Sequence, residues 1–126
     1  MDREIFNAVY KNDIDILQIL LDFDLSDINY QNEYDETALM YACSTNNLNI
    51  VKILLENDAD INIQNIDGNT ALIGSIANQH PSIVKLLLEY NPNLNIVGES
   101  QFTTYEIVEY YADSIDGQII LDLINK

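Results

Sequence analysis

The junction NEYDETALMYACS at residues 32–44 is written again as NIDGNTALIGSIA at residues 65–77, with Thr-Ala-Leu in the same place 33 positions later. A period of that length constrains the fold more than any other feature. It is what a chain shows when one small supersecondary unit buries its apolar face only by stacking against copies of itself.

The same shift of 33 brings Leu48, Ile50, Val51, Leu54 and Leu55 onto Pro81, Ile83, Val84, Leu87 and Leu88. Asp60-Ile61-Asn62 falls on Asn93-Leu94-Asn95 in the same way. Upstream, Ala8, Ile14, Leu17, Leu20 and Leu21 align with a shift of 34, and Asp27-Ile28-Asn29 returns to 33. Downstream, Thr103, Tyr105, Val108, Ile120 and Leu121 lie 33 beyond Thr70, Leu72, Ser75, Leu87 and Leu88. The chain is about four copies of one unit, with units at 1–31, 32–64, 65–97 and 98–126 forming a single domain over 1–126.

Each unit has the same physical grammar. Asp67-Gly68 is a turn, because glycine takes positive φ without a Cβ clash. Thr37 and Thr70 precede small and apolar runs as helix N-caps do, which predicts first helices over 37–46 and 70–79. Asn46-Asn47 and Gln79-His80 interrupt them. The second helix carries Ile50, Val51, Ile53, Leu54 and Leu55, or Ile83, Val84, Leu86, Leu87 and Leu88, an apolar face at helical period. Pro81 falls in a first turn, where its missing N–H costs little. Residues 119–124 are expected to form a closing helix whose exposed apolar strip could host a partner or a second copy.

At these residues the chain resembles the ankyrin repeat family. Asp67-Gly68-Asn69-Thr70-Ala71-Leu72, His80, Ile83-Val84-Lys85-Leu86-Leu87-Leu88 and Ala59-Asp60-Ile61-Asn62 carry the resemblance. It departs where Ala replaces the family's Pro after Thr, where Met40 and Ile73 replace its His, and where Asp35 replaces the turn Gly. The resemblance implies an all-α ankyrin-repeat solenoid of about four helix-turn-helix repeats with degenerate end repeats. The degenerate ends favour a self-contained four-unit chain. It also implies protein–protein recognition through turn tips and the concave face of the first helices, with no enzymatic activity and no cofactor.

Charge narrows the partner. Five Lys and Arg stand against 21 Asp and Glu, a net charge of −16. Nucleic acid and anionic membrane surfaces are attracted by cations, so neither is expected as a partner. A basic protein is. Lys52 and Lys85 share one repeat position on the second helices, which leaves the turn-tip side negative. The rival reading is an acidic mimic that blocks the phosphate site of a DNA- or RNA-binding protein. A single cysteine, no signal sequence and no apolar span make an intracellular, cytoplasmic monomer the expectation.

Other chemistry fits poorly. Asp58-Ala59-Asp60-Ile61-Asn62 begins like a calcium loop, but Ile63 and Asn69 stand where that loop needs Gly and Glu. No metal site is expected. Cys43 lies where a buried, inert thiol is expected, and the lone His80 is expected to make a structural hydrogen bond.

Eight tyrosines against no Trp and three Phe are the more informative excess. Carried over from the family pattern, Tyr34 falls at a turn tip and Tyr41 on the exposed side of a first helix. Tyr10, Tyr110 and Tyr111 fall near first-helix ends. Beside them lie Glu33, Glu36, Ser44, Thr45, Ile66, Asp67, Asn69, Asn78, Glu99 and Phe102. Each ring has two readings: packing between units, or lining a recognition surface, where tyrosine offers rigid amphipathic area at small entropic cost.

Overall fold

The computed structural model describes residues 3–24 and 26–125. The outermost ends of the expected domain, residues 1–2 and 126, lie outside the described residues, as does Leu25. Eight α-helices and no strand occur among the described residues. They form four hairpins: α1 (Glu4–Tyr10) with α2 (Ile14–Asp22), α3 (Ala38–Ser44) with α4 (Leu48–Glu56), α5 (Ala71–Ala77) with α6 (Pro81–Leu88), and α7 (Thr104–Tyr110) with α8 (Ile115–Ile124). None is long and apolar enough to cross a membrane.

The first helices stack in one layer, α1 on α3 on α5 on α7, and the second helices α4, α6 and α8 stack in another. Between the layers Leu39, Leu72 and Ile76 meet Ile50, Leu54, Ile83 and Leu87, all fully buried. Each such side chain contributes about 1.5–3 kcal/mol relative to leaving it in water. No helix of seven to ten residues would hold alone, so stacking is what makes this sequence fold.

The caps repeat as faithfully as the core. Thr37 Oγ1 accepts the Met40 N–H and Thr70 Oγ1 the Ile73 N–H, both at 3.2 Å. Thr103 and Glu106 close a reciprocal capping box on α7. Asp13, Asn47 and Ser114 cap α2, α4 and α8 with their side-chain oxygens, while Pro81 opens α6.

The first helices are shorter than their apolar runs predict, ending at Ser44 and Ala77. The cause is backbone conformation. Asn12, Asn46 and Gln79 take φ of 55°, 57° and 56° in the hairpin turns, which stops helix propagation. Asp35 and Gly68 do the same at the turn tips, with φ of 57° and 77°. Aspartate and asparagine tolerate that region because their short polar side chains bond locally; Gln79 has no such excuse and is held by its surroundings, its Oε1 accepting the Ser114 hydroxyl.

The acidic tails are absorbed by this scaffold. Asp27, Asp60 and Asn93 each accept the N–H two residues on, at 2.8–2.9 Å. Asn29 Oδ1 then accepts the Asp60 N–H, and Asn62 Oδ1 the Asn93 N–H, both at 2.8 Å. The calcium-like spacing is therefore a ladder that ties the first repeat to the second and the second to the third. His80 departs from expectation: its backbone opens α6, but its ring makes no capping hydrogen bond.

Candidate functional site

Three turn tips project from one edge of the stack. At the first, Asn32 Oδ1 accepts the N–H groups of Tyr34 and Glu36, at 2.9 and 3.0 Å. Asn65 repeats the arrangement with Asp67 and Asn69, at 3.0 Å each. The tips are stitched together, since the Ile66 N–H donates to the Tyr34 carbonyl and the Glu99 N–H to the Asp67 carbonyl, both at 2.9 Å. Gln31 and Gln64 brace them further, donating to the Asp35 and Gly68 carbonyls. Glu33, Tyr34, Ile66, Asp67 and Glu99 thus sit on a pre-formed, exposed edge. Pre-organisation of that kind lowers the entropy lost when a partner docks.

Behind the tips lies the outer face of the first helices, and its shape follows from side-chain size at equal register. Tyr41, Gly74 and Ile107 occupy one repeat position; Ser44, Ala77 and Tyr110 occupy another. The small residues of α5 therefore leave space that the large residues of α7 wall off. The result is a hollow of about 640 Å³ between α5 and α7, lined by Asn69, Ile73, Ala77, Ser100, Phe102, Glu106, Ile107, Glu109, Tyr110 and Tyr111. A smaller hollow of about 250 Å³ lies between α3 and α5, where Glu36, Ser44, Asn69, Gly74, Ser75 and Asn78 are among the lining residues. A Cβ built at Gly74 meets nothing within 4 Å, so this floor is open.

Of the residues singled out in the sequence, Asn69, Phe102, Tyr110 and Tyr111 come together around the larger hollow. Glu36, Ser44, Asn69 and Asn78 come together around the smaller one. Thr45 lines neither; its hydroxyl donates to the Tyr41 and Ala42 carbonyls at the end of α3. Tyr10 is exposed, but Tyr41 is half-buried rather than exposed, because rings from the preceding repeat reach it. Its centroid lies 5.2 Å from that of Tyr10 and 6.1 Å from that of Phe6, which in turn lies 6.2 Å from Tyr30. Tyr110 and Tyr111 pack edge to face at 5.1 Å, Tyr110 being 80% exposed and Tyr111 half-buried.

Ile73, Ala77, Glu106, Ile107 and Glu109 were not singled out. Comparing sizes across the 33-residue shift is the signal that would have found them, since Ala77 against Tyr110 and Gly74 against Ile107 is where the wall rises. Glu109 aligns with the buried Cys43 and Ile76; in the last repeat that position faces water and carries charge.

Electrostatically this face is one-sided over the tips, α3, α5 and α7, whereas Arg3 and Lys11 flank α1. The tips and helices α3, α5 and α7 contain no Lys, Arg or His. Lys52 and Lys85 lie exposed on α4 and α6, and Lys52 Nζ stands 4.0 Å from Glu56 of its own helix. Cys43, 2% exposed, is no nucleophile: burial pushes its thiol up to about 12, only partly offset by the Ser75 hydroxyl. No group of three or more His, Cys, Asp or Glu that could hold a metal ion occurs among the described residues.

A family model of ankyrin repeats, in three copies, matches residues 5–97, most of the chain. No curated protein matches the sequence.

Proposed function

The chain belongs to the ankyrin repeat family, whose arrays are generally non-enzymatic protein–protein interaction modules, and we propose that it captures a basic protein through its turn tips and first-helix face. The observation that carries this reading is the separation of charge. Glu33, Asp35, Glu36, Asp67 and Glu99 stand at the tips and Glu106 and Glu109 on α7, with no cation among them. Like-signed charges on one face raise a potential that steers an oppositely charged partner and rejects an anionic one. Exposed Tyr34, Phe102 and Tyr110 add the aromatic area that binding hot spots use.

Affinity capture from the native cell with the intact chain and with a Tyr34→Ala/Tyr110→Ala variant tests this. Both rings are exposed, so circular dichroism is expected to be unchanged while the partner is lost. Capture should weaken steeply with salt. Equal capture by the variant, or capture indifferent to salt, would contradict the reading.

A further inference from the structure

The two hollows on the first-helix face differ in chemistry, and the difference specifies a ligand. The hollow between α5 and α7 has a carbon floor of Ile73, Ala77 and Ile107, a wall of Phe102 and Tyr110, and Glu109 beside it. The hollow between α3 and α5 is smaller and more polar, with Ser44, Asn69, Ser75 and Asn78 among its lining residues around the open Gly74. Asn69 and Ala77 line both, so one runs into the other across the stack.

We infer that this face reads a bipartite linear segment of its partner: small or polar side chains lie across α3 and α5, followed by one large aliphatic or aromatic side chain seated between α5 and α7 with Lys or Arg on either side. The inference rests on the reading of the chain as a capture module and adds the form of what it captures. An apolar side chain gains by leaving water for the carbon floor. Flanking cations answer Glu106 and Glu109, the only charged residues lining that hollow. A second copy of the chain, at −16, would be repelled by the same carboxylates. Neighbouring stacked helices lie roughly 8–10 Å apart, and an extended strand rises about 3.3 Å per residue. The small-residue site and the anchor are then about three residues apart in the bound segment.

A random peptide library displayed on phage, selected against the whole protein and in parallel against Tyr110→Ser and Gly74→Trp, tests this. The first substitution trims a side chain that is 80% exposed, and the second fills open space, so neither touches the core; urea midpoints no lower than the native chain's verify it. The expected consensus is a large apolar residue between Lys or Arg, about three positions from small residues. The resynthesised consensus peptide should lose at least tenfold in affinity on Tyr110→Ser, and again when its own anchor is changed to Ser. Gly74→Trp should remove the small-residue half of the consensus. Peptides that bind through lysines alone, or no enrichment over the Tyr110→Ser selection, would overturn the inference. A natural partner whose capture survives Tyr110→Ser but fails with Tyr34→Ala would also overturn it while leaving the capture module standing. A chain that captures no natural partner would sink the module reading itself.

Discussion

Gly74 lies in the middle of α5, within a helix of seven residues, and a Cβ there meets no atom within 4 Å. Glycine in a helix interior costs about 0.5–1 kcal/mol relative to alanine, because its unfolded chain has more freedom to lose. The new methyl group neither clashes nor buries area against a neighbour, so Gly74→Ala isolates that backbone effect. It should stabilise the protein by about 0.5–1 kcal/mol. For a domain of this size that is a rise of roughly 2–5 °C in melting temperature, read by circular dichroism at 222 nm or by urea titration with an unchanged m-value. Gly117 is the opposite control. A Cβ there would overlap the Tyr111 carbonyl oxygen, so Gly117→Ala must push α8 away from the loop before it and should cost about 2–3 kcal/mol. The sign at Gly74 is what matters. A destabilised Gly74→Ala would mean that α5 packs something over its outer surface, and the open floor of the groove would be wrong.

Thr70→Ala removes the buried cap of α5 and should cost about 1 kcal/mol in the same urea titration; Thr70→Ser should recover most of it. Asn62→Ala breaks the bond that ties the second repeat to the third. It should destabilise by about 1 kcal/mol and speed amide exchange at Asn93, whereas Asn57→Ala, which loses a bond only within its own hairpin, should not touch Asn93. Cys43 predicts a pH effect. Its thiol ionises near 12 when folded against an ordinary 9.0, so above pH 9 the folded chain holds a proton that the unfolded chain has lost. The stabilisation is complete below pH 9 and declines as pH climbs toward 12. Urea stability should fall by up to about 1.4 kcal/mol per pH unit faster in the native chain than in Cys43→Ala.

The scaffold was readable because its rules are local and written repeatedly. Thr37 and Thr70 cap where a threonine before an apolar run should cap, and Ile83, Val84 and Leu87 bury the face their spacing describes. The left-handed turn at Asn46 follows from asparagine's own tolerance. What stayed hidden depends on neighbours in space. Tyr41 is covered by Phe6, a residue of the preceding repeat. Gln79 adopts φ of 56° against its type. The hollow beside Tyr110 sets the small Ala77 of one repeat against the large Tyr110 of the next, and no reading within one repeat sees that. The aspartates and asparagines of the tails were legible as a spacing, but their hydrogen-bonding from one repeat to the next, Asn62 to Asn93, needed coordinates.

The most direct test of how the molecule works is backbone amide hydrogen exchange with and without the captured partner. Protection is expected at the tips, residues 31–37, 64–70 and 97–103, and along α3, α5 and α7, with α4 and α6 unchanged. Protection confined to α4 and α6, the helices that carry Lys52 and Lys85, would contradict it.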